Sequence, residues 1–246
     1  MSKNIIVTGA GSGIGRAIAQ RFDDEGSKLL LIGRRESALE ETLASLKNKG
    51  HHIAPIDVRD KEKLNSEFNL FAENNGGVHG LIANAGVNPQ RCKSIDVDEK
   101  HIKDTIDINF LGAHNACQAA LPILLKETGA TIVTIGSIAG MQGMRERAAY
   151  GPSKAAVINY TQALAADYSK KGLRANCICP GFVITDINRE WINNLESEKK
   201  NKLEERHLLG FGTPEQIASV AWFLSNKDSS WMTGAIIPVD GGWTAW

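Results

Sequence analysis

An excess of charge of either sign is missing from this sequence. Its 246 residues include 28 Lys and Arg and 28 Asp and Glu, so the formal net charge is zero. A neutral chain offers no broad electrostatic surface to nucleic acid or to an anionic membrane, although it is compatible with local basic pockets. We therefore expect a protein that binds neither nucleic acid nor a membrane.

Cysteine and long apolar runs are also scarce. Of the 4 cysteines, Cys92 and Cys117 stand alone, and Cys177 and Cys179 lack the spacing of a zinc or redox motif. The longest apolar runs, such as 29–32, are too short to span a bilayer, and the N-terminus has no signal-peptide layout. These features favour reduced thiols, no metal site and a cytoplasmic protein without a membrane anchor.

What the sequence does contain is an alternation of two periodic patterns. Short runs rich in β-branched residues and leucine occur at 4–8, 28–32, 51–56, 78–83, 130–135, 173–178 and 235–239. Amphipathic stretches lie between them, for example at 14–25, 37–49, 61–73 and 102–125. Near-continuous apolar strands that alternate with helices predict a parallel sheet covered by helices on both faces. Residues 1–246 are thus predicted to form one doubly wound α/β domain, with the polar segment 186–209 as a candidate substrate lid.

A glycine-rich loop follows the first predicted strand and opens the first predicted helix. Residues 8–15 read Thr-Gly-Ala-Gly-Ser-Gly-Ile-Gly. Glycines let the backbone turn tightly and let a pyrophosphate approach the amides and the positive end of the helix. The strand–loop–helix context favours dinucleotide binding over a merely structural turn. The predicted cofactor contacts in this loop are Gly9, Ser12, Gly13, Ile14 and Gly15.

The second predicted strand ends at Gly33, which is followed by Arg34 and Arg35. An NAD-binding protein usually carries Asp or Glu here to bind the ribose 2′-hydroxyl. The missing carboxylate and the two guanidiniums favour NADP(H) over NAD(H), because Arg binds phosphate in bidentate fashion. Two solvated arginines at a strand end are the alternative. After the third strand, Asp57-Val58 either places a carboxylate near the adenine or caps the next helix.

Tyr150 and Lys154 form a candidate acid/base pair. Their spacing of four residues places a phenol and an ammonium on one face of a helix. A neighbouring ammonium stabilises the phenolate, so the pair can move a proton onto or off an alcohol oxygen. Taken alone, the same spacing is also typical of a solvated surface pair.

These motifs, in this order, closely resemble the short-chain dehydrogenase/reductase superfamily over essentially the full length of the chain. The residues that carry the resemblance are 8–15, Asn84-Ala85-Gly86, Asn109, Ser137, Tyr150 with Lys154, Pro180-Gly181 and the ending 233–242. The resemblance implies a Rossmann-like sheet with a seventh strand, hydride transfer at a nicotinamide, and a homotetramer or homodimer.

Four catalytic residues follow from this resemblance. Tyr150 would protonate a carbonyl oxygen during reduction or deprotonate an alcohol during oxidation. Lys154 would support the phenolate and hydrogen-bond the nicotinamide ribose, and Ser137 would hold the substrate oxygen beside the phenol. Asn109 would distort its helix and anchor a water that links Lys154 to solvent. From the residues alone, an exposed helix position is the favoured interpretation of Asn109.

Further cofactor contacts are implied by the same resemblance. The small residues Asn84-Ala85-Gly86 let backbone approach the cofactor, and Asn84 would tie adjacent strands together. Pro180-Gly181 would shape the wall under the nicotinamide. Val183 would offer an amide to its carboxamide, and Thr185 would reach the cofactor phosphates or the carboxamide.

Residues 138–149 would border the substrate, and here the chain departs from the small apolar residues common in the family. Arg145 and Arg147 are candidates to bind an anionic group such as a carboxylate, sulfonate or phosphate. The alternative pairs them with Glu146 or with a neighbouring subunit. The remaining candidates, which would line the pocket or close over it, are Asn88, Gln142, Met144, Ile187, Arg189 and Trp191.

The function favoured by the sequence is NADPH-dependent reduction of a small aldehyde or ketone. An NAD-dependent alcohol or sugar dehydrogenase and a 3-oxoacyl-carrier-protein reductase are alternatives with the same fold. The neutral chain offers no broad basic surface to an acidic carrier protein. A dinucleotide-sensing protein without catalysis is disfavoured, because all four catalytic candidates are present.

Overall fold

Seven apolar segments form the strands of one parallel sheet in the described part of the chain. The structure is a computed structural model, and it describes residues 3–88, 91–186 and 188–245. The strands are β1 (Asn4–Thr8), β2 (Lys28–Gly33), β3 (His52–Pro55), β4 (Gly80–Ala83), β5 (Thr131–Ile135), β6 (Arg174–Pro180) and β7 (Ile236–Val239). The interior residues of β1, β2, β4, β5 and β6 are buried, as parallel strands covered on both faces require.

The strand order creates a crevice at one edge of the sheet. The order is β3-β2-β1-β4-β5-β6-β7, and all neighbours are parallel. The chain moves outward from β1 to β3 and then crosses back to place β4 beside β1. Loops that leave the carboxyl ends of β1 and β4 therefore diverge, and ligands of doubly wound sheets bind in such crevices. The predicted Rossmann-like, doubly wound sheet of seven strands is confirmed.

Helices cover both faces of this sheet. They are α1 (Gly13–Asp24), α2 (Glu36–Ala44), α3 (Lys61–Asn75), α4 (Glu99–Ile106), α5 (Gly112–Leu124), α6 (Ile138–Met141), α7 (Tyr150–Tyr168), α8 (Arg189–Asn193), α9 (Ser197–Glu204) and α10 (Pro214–Ser225). On one face Phe22 of α1 and Leu224 of α10 share a core with the sheet. On the other face Phe68 of α3 and Val157 of α7 do the same. Each such buried side chain stabilises the fold by about 1.5–3 kcal/mol, so both helical layers hold the carboxyl edge rigidly.

The second helix is shorter than the predicted segment 37–49. The carboxylate of Asp23 is buried and accepts hydrogen bonds from the amides of Lys47 at 2.6 Å and Asn48 at 3.2 Å. Burial alone raises the pKa of Asp23, but these amide hydrogen bonds outweigh it and hold the pKa below its usual value. A side chain from α1 thus captures the backbone that would otherwise have continued α2.

The predicted helix 102–125 contains a wider turn. The α-helical segments α4 and α5 are joined by a π-helical turn at Asp107–Leu111. Such turns insert one extra residue and are frequent at functional sites. Asn109 lies in this turn and is only 1% exposed, so it is not the exposed helix position that its residue type alone favours.

Candidate active site

The glycine loop turns so tightly that only glycine fits at two of its positions. Gly9 has a φ of +67°, and a Cβ there would lie 2.8 Å from the Cα of Ala85. A Cβ on Gly15 would overlap the carbonyl oxygen of Gly9. The tight turn brings the start of α1 to the cleft, where free amides and the positive helix end suit a pyrophosphate. The loop therefore fits the dinucleotide predicted from its sequence.

Thr8 and Asn84 fasten the ends of β1 and β4 to each other. The Thr8 hydroxyl oxygen accepts the N–H groups of Asn84 and Ala85, both at 3.0 Å. The Asn84 side-chain amide donates to the carbonyl oxygens of Thr8 at 3.0 Å and Gly9 at 3.2 Å. These four hydrogen bonds hold the ends of β1 and β4, which form the walls of the crevice, at a fixed separation.

One cleft of about 1290 Å³ runs along the carboxyl edge of the sheet. It extends from the glycine loop, past Arg34 and Asp57, to Tyr150 and the wall after β6. All the predicted cofactor contacts line it, namely Gly9, Ser12, Gly13, Ile14, Gly15, Arg34, Arg35, Asp57, Val58, Asn84, Ala85, Gly86, Tyr150, Lys154, Pro180, Gly181, Val183 and Thr185. So do Ser137 and the substrate candidates Asn88, Gln142, Met144, Arg145 and Arg147. Residues far apart in the chain are thus brought to one continuous surface.

At the end of this cleft nearest β2, a carboxylate is already neutralised. Asp57 accepts two hydrogen bonds from the Arg59 guanidinium, at 3.0 and 2.7 Å, which together lower the pKa of Asp57. Arg34 contributes a further positive charge nearby. Asp57 does not cap the following helix, because the side chain of Asp60 accepts the Lys63 amide and so caps α3. The second of the two interpretations of Asp57 is therefore wrong.

Tyr150 is the first residue of α7, and Lys154 lies one turn further along the same helix. The Lys154 ammonium lies 5.9 Å from the centroid of the Tyr150 ring and donates a hydrogen bond to the Ile135 carbonyl at 2.8 Å. Lys154 is only 4% exposed although it lines the cleft. The pair is thus not the solvated surface pair that the spacing alone allows. An ammonium with three donors has two left for groups in the cleft.

Ser137 follows β5 and caps the short helix α6. Its hydroxyl oxygen accepts the Ala139 amide at 3.1 Å, which leaves the hydroxyl proton available to a substrate oxygen. Its backbone is extended, so the side chain lies at the carboxyl edge where the cleft is. The phenol, ammonium and hydroxyl that the sequence suggests therefore line one cleft.

Asn109 does not line the cleft but connects elements that do. Its Oδ1 accepts the Val87 amide at 2.7 Å, and its Nδ2 donates to the Val87 carbonyl and the Ser153 hydroxyl, both at 3.0 Å. A Cβ on Gly86 would lie 3.1 Å from Asn109 Oδ1 and 3.3 Å from Lys154 Nζ. Asn109 and Lys154 thus flank the same stretch of backbone.

The wall after β6 presents one unsatisfied amide. The neighbouring amides of Phe182 and Thr185 donate to His207 Nε2 at 3.1 Å and to Asn188 Oδ1 at 2.8 Å. Among the described residues no acceptor pairs with the Val183 amide, and Val183 is buried in the cleft wall. A carboxamide oxygen would satisfy it, which agrees with the contact implied by the resemblance.

An aromatic cluster backs this wall, and the sequence patterns gave no signal for it. Phe182 packs on Trp191, His207 and Phe211, and His207 packs on Trp243 at 4.7 Å. Trp191 contacts the wall but is not among the residues lining the cleft, so it serves as a packing anchor here. Ile187, suggested as a lid residue, lies outside the described residues.

Several residues that the sequence patterns did not single out also line the cleft. They are Arg91, Phe182, Asn188, Arg206 and His207, among others. Arg91 follows β4 in a loop without a motif, and His207 is a single histidine at the end of the predicted lid. In the described part of the chain, no cluster of three or more His, Cys, Asp or Glu side chains is arranged to hold a metal ion. Every helix described there is too short or too polar to traverse a bilayer.

Comparison with known proteins agrees with this geometry. A family model described as enoyl-(acyl carrier protein) reductase matches residues 9–244. Meso-2,3-butanediol dehydrogenase of Serratia marcescens is 36% identical, over 99% of this chain and 95% of its own length. 3-Oxoacyl-(acyl-carrier-protein) reductase FabG of Chlamydia muridarum is 32% identical, over 98% and 97%. A solved structure of ElxO with NADP bound superposes with a TM-score of 0.92 at 26% identity, covering 100% of both chains.

The butanediol dehydrogenase and the 3-oxoacyl reductase are oxidoreductases that match nearly the whole chain. The order of the motifs, the sheet topology and the two full-length matches all agree. The chain therefore belongs to the short-chain dehydrogenase/reductase superfamily and is an NAD(P)-dependent oxidoreductase that interconverts a carbonyl and an alcohol.

Proposed function

We propose that the protein is an NADP(H)-dependent carbonyl reductase that acts on a small aldehyde or ketone. The single observation that carries this proposal is the placement of Tyr150 and Lys154. They lie on successive turns at the start of α7, in the cleft that also contains the glycine loop. The proposed proton donor and the proposed dinucleotide site thus share one cleft, as carbonyl reduction requires.

The proton transfer is assigned to Tyr150. In reduction its hydroxyl donates a proton to the carbonyl oxygen of the substrate, and in oxidation the phenolate accepts the alcohol proton. The Lys154 charge, 5.9 Å from the ring, stabilises the phenolate, and Ser137 donates a hydrogen bond that holds the substrate oxygen. A bound nicotinamide supplies or accepts the hydride.

Asn109 is proposed as a positioning residue. It fixes the backbone of Val87 and the Ser153 hydroxyl, and so sets the loop after β4 relative to α7. Lys154 is held from the other side by the Ile135 carbonyl. Preorganised contacts of this kind hold the proton donor in place before the substrate arrives. We also propose that Asn109 anchors the water that the resemblance implies, which would link Lys154 to solvent.

The preference for NADP(H) is proposed from the residues after β2. Gly33 replaces the carboxylate that would repel a 2′-phosphate, and Arg34 and Arg35 line the cleft beside it. Arg59 already neutralises Asp57, which reduces the repulsion between that carboxylate and a phosphate. The solved relative with NADP bound supports this assignment.

Two further properties complete the proposal. We propose a homotetramer or homodimer, since Trp231 is 100% exposed and Leu209 is 86% exposed, as apolar residues of a contact surface would be. Light scattering on the purified protein tests this.

The four thiols are free, which supports a reducing compartment such as the cytoplasm. The segment 186–209 keeps its proposed role as a lid, formed by α8 and α9.

The decisive experiment is a panel of carbonyls and alcohols assayed by nicotinamide absorbance with each cofactor. NADPH-dependent reduction of small aldehydes or ketones is expected. The relatives at 36% and 32% identity define two other outcomes. Turnover only of alcohols with NAD would indicate a dehydrogenase, and turnover only of carrier-protein thioesters would indicate a 3-oxoacyl-carrier-protein reductase. No turnover with any member would remove the proposal and favour a dinucleotide-sensing protein.

A further inference from the structure

The cleft is strongly basic although the chain is neutral. Among the charged residues that line it, seven are basic and two, Asp57 and Glu146, are acidic. Two of the basic residues, Arg34 and Arg35, lie at the end assigned to the cofactor. The others surround the end that contains Tyr150. A cleft with one sign of charge concentrates ligands of the opposite sign.

Two of these basic residues, Arg91 and Arg147, lie in loops that are distant in sequence but paired with each other. The Cys92 amide donates to the Glu146 carbonyl at 3.3 Å, and an isolated β-bridge pairs Cys92 with Arg147. The pairing brings the loop that contains Arg91 against the backbone of Arg147. Burial and the charge of Arg91 together lower the pKa of Arg147. The two like charges repel each other, and an anion bound between them would remove this repulsion.

Both guanidiniums are also oriented from outside the pair. Arg147 donates to Asn88 Oδ1 at 2.7 Å and lies 5.6 Å from the centroid of the Tyr150 ring. Arg91 lies 5.4 Å from the centroid of the Trp191 ring on α8. Among the described residues, no carboxylate forms an ion pair with Arg91. Arg91 lines the cleft, so its charge is available to an anion bound there.

The residue before Arg147, Glu146, has an unfavourable backbone conformation. Glu146 has a φ of +61°, a left-handed conformation that is unfavourable for a residue other than glycine. Strain of this kind persists at functional sites when the surrounding structure enforces it. Glu146 immediately precedes Arg147, and its carbonyl accepts the hydrogen bond from the Cys92 amide.

We propose that Arg91 and Arg147 bind an anionic group of the substrate, which makes the substrate a short oxo acid or the corresponding hydroxy acid. The anionic group is a carboxylate, a sulfonate or a phosphate, since each offers the oxygens that paired guanidiniums bind. Because Arg147 lies against the Tyr150 ring, only a few bonds separate the anion from the carbonyl. This inference rests on the proposed reduction at Tyr150 and adds the class of its substrate.

A matched series of acetonyl compounds tests the proposal. Acetoacetate, 2-oxopropane-1-sulfonate and hydroxyacetone phosphate carry the three anions on the same ketone, and methyl acetoacetate is the neutral member. We expect kcat/KM for at least one anion to exceed that for the ester by about ten- to a hundredfold. The anion with the largest ratio identifies the chemical group that the site prefers.

Three variants attribute this preference to the paired guanidiniums. Arg91→Gln and Arg147→Gln should each lower the ratio of kcat/KM for the anion to kcat/KM for the ester by about tenfold or more. Arg147→Lys should restore part of the ratio, because it keeps the charge but loses the planar fork. Lys126→Gln removes one positive charge from an exposed position at the opposite edge of the sheet and should leave the ratio unchanged.

Binding to a Tyr150→Phe variant with NADPH separates this inference from the proposed function. Calorimetry on that variant should detect the preferred anion, and Arg91→Gln in the same background should abolish the binding. Equal kcat/KM for anions and ester, or anion binding that survives Arg91→Gln, would overturn the inference and leave carbonyl reduction intact. Failure of every carbonyl to react, with anion binding retained, would instead overturn the proposed reaction.

Discussion

Asn109 holds the backbone of Val87 through two hydrogen bonds, one in each direction. Its Oδ1 accepts the Val87 amide at 2.7 Å, and its Nδ2 donates to the Val87 carbonyl at 3.0 Å. A third hydrogen bond, from Nδ2 to the Ser153 hydroxyl at 3.0 Å, extends the connection to α7. One buried side chain therefore joins the π turn, the loop after β4 and the helix that carries Tyr150.

The first prediction concerns the variant Asn109→Ala. Truncation removes three hydrogen bonds, two to the partly buried backbone of Val87 and one to the Ser153 hydroxyl, so the free energy of unfolding should fall by about 3 kcal/mol. kcat should fall as well, because the loop and α7 lose their fixed relation. Urea denaturation and steady-state kinetics measure both. Asn115→Ala is the matched control, because it removes a single hydrogen bond to Val58 and should cost about 1 kcal/mol. Equal losses in the two variants would remove the special role of Asn109.

A second prediction concerns the glycine loop. In Gly15→Ala the added methyl group overlaps the Gly9 carbonyl, so α1 or the loop must shift away from its position. We expect NADPH binding, followed by fluorescence, to weaken by about tenfold to a hundredfold, with a loss of stability of about 1–3 kcal/mol. Gly143→Ala is the control, because a Cβ there meets no atom within 4 Å. Unchanged NADPH affinity in Gly15→Ala would show that this loop does not hold the pyrophosphate.

A third prediction tests the cofactor preference. Arg34→Ala should lower kcat/KM for NADPH by about ten- to a hundredfold, because a guanidinium bound to phosphate is lost. The value for NADH should change by less than about twofold, since NADH has no 2′-phosphate. Arg35→Ala, measured in parallel, shows whether the second arginine shares the contact. If wild-type protein already turns over NADH much faster than NADPH, the argument from Arg34 is wrong.

The fourth prediction concerns pH and His207. Its Nε2 accepts the Phe182 amide, and burial lowers the pKa of His207. The hydrogen bond to the Leu203 carbonyl and the charges of Asp240 and Glu204 oppose this shift in part. An unfolded histidine has a pKa of about 6.5, so below that pH the unfolded chain takes up a proton more readily than the folded one. The stabilising contribution of His207 is therefore complete above that pH and is lost as the pH falls.

Melting temperatures of wild type and His207→Gln measure this effect. The glutamine oxygen can accept the same amide but does not titrate. We expect the difference between the two proteins to shrink as the pH falls from about 7 to about 5. A difference that stays constant over this range would show that His207 has the same pKa in the folded and unfolded states.

Much of the fold could be predicted because its signals are local. β1 was predicted with the bounds it has, and the other strands within about two residues, because apolar runs between turns define them. The glycine loop and the pair Tyr150/Lys154 were identified for the same reason. Each is a short spacing whose geometry follows from one strand, one loop or one helix.

The remaining features depend on contacts between distant parts of the chain. The early end of α2 requires the Asp23 carboxylate, and the π turn at 107–111 accompanies the burial of Asn109 among β4 and α7. Arg91 lies at the site because the neighbouring residue, Cys92, pairs with Arg147. No periodicity within a short window reports such pairings, because they are set by the packing of the whole sheet.

The most direct test of the central claim is a comparison of Tyr150→Phe with wild type, measuring turnover and cofactor binding on the same preparations. Removal of the phenolic proton should lower kcat for the best carbonyl substrate by about a hundredfold to ten-thousandfold. The NADPH dissociation constant should stay within about twofold, because the glycine loop and Arg34 are untouched. Wild-type kcat in Tyr150→Phe would contradict the assignment of this phenol as the proton donor.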